Sequence, residues 1–449
     1  MSFKPVLLGS DVLILVLLAL VAAGVWLLRH NDTFRAPLRQ VLASPVGSAT
    51  ALILAVYVGI GLLDSLHYVE RLPDVPGKPA QYSGEVKSAL DKVLAPLREQ
   101  VEKTYSAPFA THLYAKETVT GPDGREVRDY PRLKFGGAHL AHPENDFRPD
   151  VLKRGGLGVL GGLASWALLV FPFFQREGCR GAFSGTLLVI LVSTGLLIAL
   201  APHYHVLGTD KVGQDVLYLS LKSVRTGLLI GTLTTLVMLP LAIGLGIAAG
   251  YFGGKVDDLI QYVYTTLNSI PGVLLIAAAV LVVQVQIESH PELFDTAAAR
   301  ADVRLLALCA ILGATGWTGL ARLLRAEALK LRELEFVQAA QAFGVTRDRI
   351  VLRHLLPNVM HIVLISVVID FSGLVLAEAV LSYVGVGVDP AMISFGNMIN
   401  GARLELAREP VVWWQLVAAF LFMFALVLAA NLFADQVRDA LDPKAKGRP

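Results

Sequence analysis

Charge is scarce in this chain of 449 residues. Only 17% of them are Asp, Glu, Lys or Arg, while 54% are hydrophobic. Ordinary soluble domains carry about 25% charged and 45–50% apolar residues. Cysteine is almost absent: Cys179 falls in a short loop and Cys309 in an apolar block, so no disulfide is expected. No basic stripe with interleaved aromatics occurs and the net charge is +2, which argues against a nucleic-acid partner. No Gly-x-x-x-x-Gly-Lys-Ser/Thr is present, so the chain has no P-loop to cradle ATP. Gly-x-Ser-x-Gly and His-Glu-x-x-His are missing as well, and with them the commonest signatures of a hydrolase.

What the chain does have is long runs without charge, at 12–28, 41–63, 155–175, 226–254, 259–287 and 410–434. A helix needs roughly 20 apolar residues to cross a bilayer, and a soluble amphipathic helix would carry charge on one face. The pattern is that of an all-α polytopic membrane protein. It predicts about nine spans, near 11–28, 46–63, 155–174, 181–201, 226–251, 259–285, 303–321, 359–383 and 411–434. The first block lacks a basic n-region and a small-residue cleavage site, so it reads as a retained span.

Basic loops face the cytoplasm. The 322–353 segment carries Arg322, Arg325, Lys330, Arg332, Arg347, Arg349 and Arg353, and the tail carries Arg438, Lys444, Lys446 and Arg448. Arg29, Arg35 and Arg39 mark the first loop, and Arg176 and Arg180 the end of the third span. Threading nine spans through these anchors places the N-terminus outside and the C-terminus inside. Residues 64–153 then form an extracytoplasmic domain. It opens on a proline-rich stretch from Pro73 to Pro79. Val86, Leu90, Val93, Leu94, Leu97 and Val101 follow at helical spacing, with a break or kink at Pro96. Residues 111–130 alternate around Gly121-Pro122-Asp123-Gly124 as a hairpin would, so the domain is expected to be a small α+β insertion. The expected divisions are 1–63 (two spans), 64–153 (the insertion), 154–180 (a further span and loop), 181–443 (the core) and 444–449 (the tail).

The most informative segment runs from Glu335 to Val345 and on to Asn358. Phe336, Ala339, Ala340 and Phe343 recur at i, i+3, i+4 and i+7 and share a helix face. Gly344 can end that helix, and Pro357 can start the next. A helix–turn–helix under the membrane suits a grooved partner; it is equally an ordinary interfacial loop on these grounds alone.

This segment resembles the EAA loop of ABC importer permeases, in the form found in the dipeptide/oligopeptide/nickel permease family. Further matches lie in the same order. His205-Val206-Leu207-Gly208-Thr209-Asp210 with Gly213-Gln214-Asp215-Val216 resembles the family's Gly-Thr-Asp segment, continued by Arg225, Leu228 and Gly231. Gly250-Tyr251-Phe252-Gly253-Gly254 with Val256-Asp257, Ser394-Phe395-Gly396-Asn397-Met398, and Arg438-Asp439-Ala440-Leu441-Asp442-Pro443 match three more. The resemblance covers roughly 181–443. Val206, Gln214, Gln338 and Phe395 depart from the usual pattern, and four spans precede the Gly-Thr-Asp segment where the family usually has one.

The resemblance implies a type I ABC importer permease core, in the bacterial cytoplasmic membrane, with the coupling loop at 331–358. Glu335, Phe336, Ala339, Ala340, Phe343, Gly344 and Pro357 would then meet the ATPase. Partners would be a second homologous permease, two ATPase subunits, an extracytoplasmic substrate-binding protein and the bilayer. ATP and Mg would be used by the ATPase chains, with no cofactor or metal held by this chain and no catalysis of its own. The cargo would be a peptide or peptide-like solute, with a nickel or metal chelate as the alternative. A membrane-embedded hydrolase and an ion-coupled carrier are the competing classes.

Two carboxylates, Asp370 and Glu378, sit inside an apolar span. Ionisable groups at that depth face a bundle interior or a cavity, so they are candidates for the translocation path or for interhelical bonding. His139, His142, Glu144 and Asp146 cluster in the insertion, where solvation is the plainer reading than a metal site. Gly246 and Gly250 form a small-residue pair for close helix packing.

Overall fold

The computed structural model describes residues 3–28, 32–73, 81–120, 126–170, 180–294 and 296–441. Within them, seven helices are long and apolar enough to cross a membrane: Pro45–Asp64, Gly181–Leu200, Val216–Phe252, Gly272–Ser289, Ala297–Arg332, Arg347–Val384 and Trp414–Ala440. A shorter apolar helix covers Gly9–Gly24. The expected third span lies in the Pro143–Val170 helix. The chain divides into two units. One comprises 1–7, 39–227 and 393–429; the other comprises 8–38, 228–392 and 430–449.

In the first unit, Ser44 starts the Pro45–Asp64 helix by accepting a bond from the Gly47 N–H at 2.9 Å, with Pro45 in the first turn. The chain then enters a three-stranded antiparallel sheet ordered Phe3–Pro5, His67–Arg71, Tyr82–Ser88. The insertion therefore borrows a strand from the start of the chain, paired Phe3 to Glu70 and Pro5 to Tyr68. Val86 lies in the third strand and not on a helix; the helical run begins at Ala89, where Ser88 and Asp91 form a capping box. Pro96 opens the second short helix, Ala95–Glu99. The expected hairpin is present as Glu117–Thr120 paired with Glu126–Asp129. Its turn, most of the proline-rich stretch and Cys179 lie outside the described residues.

Glycines decide how the helices Pro143–Val170 and Arg180–Leu200 meet. A Cβ on Gly158 would stand 2.6 Å from the Gly195 carbonyl oxygen, and one on Gly162 2.6 Å from the Val192 Cα. The two backbones touch, as small-residue interfaces in lipid allow.

The second unit holds two apolar clusters. One gathers Leu229, Ile230, Leu305, Leu308 and Leu312, with Leu13 and Ile14 of the first helix packed against it. The first helix is tied there by a cross-helix cap: Asp302 accepts the Ser10 N–H at 3.0 Å and the Ser10 hydroxyl as well. The other cluster joins Ala242, Ile247, Leu320, Leu324, Ala328, Val337, Ile350, Leu355 and Val359. Gly246 and Gly250 behave as expected. Added Cβ atoms would lie 2.8 Å from the Ala321 carbonyl and 2.6 Å from Ala328.

The span expected at 259–285 is interrupted. One helix ends at Ser269, Ile270 is extended (φ −92°, ψ 131°), and a second helix runs Gly272–Ser289. Pro271 disfavours helical geometry in the residue before it, so composition without attention to that proline merges two helices into one.

Candidate functional site

The 335–358 segment folds as Glu335–Ala342, a turn, Arg347–Ile350 and a five-residue π turn, Val351–Leu355, that runs into Leu356–Val384. Gly344 has φ +75°, a conformation costly for residues bearing a Cβ. The Val345 N–H bonds the Ala340 carbonyl and the Gly344 N–H bonds the Gln341 carbonyl, both at 3.0 Å. That pair of bonds is a Schellman cap, and it leaves the helix ending on a sharp, satisfied turn.

Side-chain burial divides the expected face. Phe336, Ala339 and Phe343 are exposed, Phe343 at 87%. Ala340 turns inward with Val337, joining Ile350 and Leu355 in the cluster beneath. Ala340 is therefore a root of the loop and not part of its outer face. The helix is amphipathic in the reverse of the usual sense. Small and branched residues hold it to this chain, while its largest aromatics stand outside. Leu334 and Leu352 are exposed beside them.

Pro357 does not restart a helix after a gap. It sits in the first turn of Leu356–Val384, directly after the π turn, in which the Leu356 N–H reaches the Val351 carbonyl. A proline has no N–H to give, and the wider turn before it accommodates that loss. Beneath the loop, Arg325 grips Asp257 with two bonds of 2.6 Å, Nε to Oδ1 and Nη2 to Oδ2. This is the bidentate geometry that fixes direction as well as charge.

The two intramembrane carboxylates differ. Glu378 is buried and accepts the Ser382 hydroxyl at 2.8 Å. Asp370 is half-buried, and no hydrogen bond or ion pair to it occurs among the described residues. In the insertion, His139 bonds Asp150 at 2.8 Å and Asp146 accepts the His142 N–H at 3.1 Å. No group of three or more ligands suited to a metal occurs among the described residues.

Comparison with known proteins gives this loop a context. Residues 242–447 match the family model described as "Binding-protein-dependent transport system inner membrane component". The oligopeptide transport system permease protein OppC of Mycobacterium bovis is 30% identical over 299 residues, covering 63% of this chain and 96% of that protein. This chain belongs to that family of ABC importer permeases. OppC of Haemophilus influenzae is 32% identical over 241 residues, covering 54% of this chain and 71% of that one. The dipeptide transport system permease protein DppC of Lactococcus lactis subsp. cremoris is 30% identical over 241 residues, with coverages of 54% and 64%. Among solved structures, a chain of the MetNI methionine ABC transporter overlaps 51% of this chain and 98% of its own. Its TM-score is 0.37 at 17% identity, too distant to carry a structural argument.

The permease also has a charged site that its sequence did not reveal. His205 is fully buried between two carboxylates. Its Nδ1 lies 2.8 Å from Asp215 and its Nε2 3.4 Å from Glu102. Asp215 also accepts the Leu217 and Tyr218 N–H groups at 2.8 and 3.2 Å, capping the Val216–Phe252 helix. Glu102 accepts the N–H groups of Lys134, Phe135 and Gly136 at 2.9, 2.7 and 3.1 Å. Burial alone would depress the imidazole. The bonds and charges of Asp215 and Glu102 outweigh it and hold His205 up at about 9. Burial would likewise raise Glu102; His205 and the three backbone donors bring it down to about 2. Glu102 precedes His205 by 103 positions, a separation that no local pattern encodes.

Proposed function

We propose that this permease carries peptides or peptide-like solutes inward across the cytoplasmic membrane, driven by separate ATPase subunits through the 335–358 loop. The observation that carries the reading is the exposed Phe336–Ala339–Phe343 face on a rooted, capped helix. The basic residues around it hold it at the cytoplasmic surface, out of lipid, so it needs a protein groove. Burying each phenylalanine there would contribute about 1.5–3 kcal/mol. The relatives named as oligopeptide and dipeptide permeases support the cargo class.

In this reading the permease pairs with a second homologous permease and two ATPase subunits, which bind ATP and Mg. An extracytoplasmic binding protein delivers cargo. ATP closes the ATPase pair and the seated loops follow, so the two permeases rock between inward-open and outward-open states. Nucleotide and cargo must each prefer one state for the two to be linked. Asp370, with no hydrogen bond or ion pair among the described residues, is the better path candidate, and Glu378 is buried and bonded to Ser382 of its own helix. The N-terminus and the insertion share the outer side. The pairing of strand Phe3–Pro5 with His67–Arg71 supports this, since the apolar helices Gly9–Leu28 and Pro45–Asp64 would cross twice between them. Copurification with the ATPase chains, then ATP-dependent peptide uptake in proteoliposomes, tests the reading. Failure of either step with a well-folded permease rejects it.

A further inference from the structure

The insertion is built into the permease through buried charge. Glu102 belongs to the insertion, His205 to the connection that follows the Arg180–Leu200 helix, and Asp215 to the N-terminus of the Val216–Phe252 span. Around them the same two parts are joined again. Thr209 Oγ1 accepts the Ser106 N–H at 2.7 Å and donates to the Thr104 carbonyl at 2.9 Å. A second, partly buried set lies farther along the span. Lys222 reaches both Asp91 oxygens at 2.9 Å and Asp64 at 2.9 Å, and the Tyr218 hydroxyl donates to Asp91 at 2.7 Å.

We propose that Glu102, His205 and Asp215 act as a positioning triad, through which the extracytoplasmic insertion holds the outer end of the Val216–Phe252 span and so takes part in the transport cycle. The logic is one of charge balance. Asp215 caps the first N–H groups of that helix, those of Leu217 and Tyr218. A carboxylate capping a helix N-terminus is favourable, but one buried beside a neutral imidazole lacks a counter-charge. The imidazolium supplies it, and a single carboxylate beside His205 would leave less to hold the proton in a site with no solvent. Glu102 is the second carboxylate, itself fixed by three backbone donors of the 134–136 turn. The ionisable groups facing the imidazole are Asp215 and Glu102. The insertion thus keeps His205 charged, His205 keeps Asp215 in place, and Asp215 holds the helix end. His205 and Asp215 lie in the segment that resembles the family's Gly-Thr-Asp motif, whereas Glu102 comes from the insertion that precedes it.

The proposal rests on the transport reading only for its last step, and the test separates the two. Hydrogen exchange at the Leu217 and Tyr218 amides is measured on the full permease in nanodiscs, for wild type, Glu102→Gln and Glu102→Asp, from pH 6 to pH 10. Peptide uptake is recorded over the same range. With one carboxylate gone, the pH at which His205 loses its proton falls. The exchange ratio of Glu102→Gln to wild type should be near one at pH 6 and climb with pH, about tenfold for each unit by which that transition moves. Uptake by Glu102→Gln should fall over the same interval, with Glu102→Asp close to wild type. A ratio near one throughout overturns the triad's hold on the helix. A rising ratio with unchanged uptake overturns its part in transport. If Glu102→Gln does not accumulate, wild-type exchange decides: it must accelerate beyond ordinary base catalysis as pH passes about 9, and failure to do so overturns the proposal. A wild type inactive toward every peptide tested counts against the cargo assignment, and the exchange data still decide the triad.

Discussion

Ala339 and Ala340 are neighbours in the chain and face opposite ways: Ala339 is exposed, whereas Ala340 packs with Val337, Ile350 and Leu355 in the core of its own unit. The pair separates two functions that a helical-wheel argument merges. A charge at Ala339 meets only what docks on the loop. A carboxyl at Ala340 must be buried without a partner, and even the neutral acid costs about 2–7 kcal/mol there. Ala339→Glu should keep normal membrane abundance and lose ATPase association. Ala340→Glu should lose abundance itself. Quantitative blotting of membranes beside ATPase copurification distinguishes them, and equal loss of abundance in both would show that the two side chains share one environment.

The carboxylates of the Leu356–Val384 helix should separate in the same manner. Glu378→Gln can keep the bond to Ser382 and should leave abundance and uptake near normal. Glu378→Leu strands the Ser382 hydroxyl in a low-dielectric interior, at about 1–3 kcal/mol, and should lower abundance. Asp370→Asn should leave abundance intact and change uptake rate or cargo preference. Uptake per mole of permease measures this, and a silent Asp370→Asn would take that residue off the path.

Asp64 ends the Pro45–Asp64 helix, where the macrodipole disfavours a carboxylate. Lys222 at 2.9 Å and the Ser88 hydroxyl at 2.6 Å compensate. In the same network, burial would raise Asp91, but Lys222, the Ser88 N–H and Tyr218 bring it down to about 2 from 3.8. A lowered carboxylate contributes stability that is fully present above its unfolded value and lost as pH falls through the folded one. Order in the insertion should therefore hold above about pH 4 and fade as the pH approaches 2. Near-ultraviolet circular dichroism of the full permease against pH checks this, with Asp91→Asn expected to flatten the acid limb.

Much of this architecture was readable in advance, and what escaped did so for physical reasons. Apolar length is a one-dimensional property, so most spans follow from it. Gly344 was legible because a glycine after a helical run with no better continuation marks a left-handed cap. The inward turn of Ala340 was not, because apolar periodicity identifies a stripe without saying which edge belongs to the chain's own core. The strand at Phe3–Pro5 was missed because three residues carry no periodic signal and its partner lies more than sixty positions away. The Glu102–His205 pairing escaped for the same reason.

Topology can be checked directly. Thr118 and Asp348 are both exposed. A cysteine at Thr118 should react with a membrane-impermeant maleimide in intact cells, and one at Asp348 only after lysis. The reverse pattern would place the insertion in the cytoplasm and remove the loop from any ATPase.

The coupling claim stands most directly on substrate-stimulated ATP hydrolysis by the reconstituted transporter, compared between wild type and Gly344→Asp. Gly344 has φ +75° with nothing within 4 Å of an added Cβ, so the substitution strains the turn without colliding with the core. Strain in that region costs about 1–2 kcal/mol for a residue with a Cβ, too little to unfold the spans and enough to displace the Phe343 face. Gly344→Asp is expected at normal abundance, with hydrolysis no longer stimulated by peptide. Stimulation equal to wild type, at equal abundance, would contradict the coupling claim.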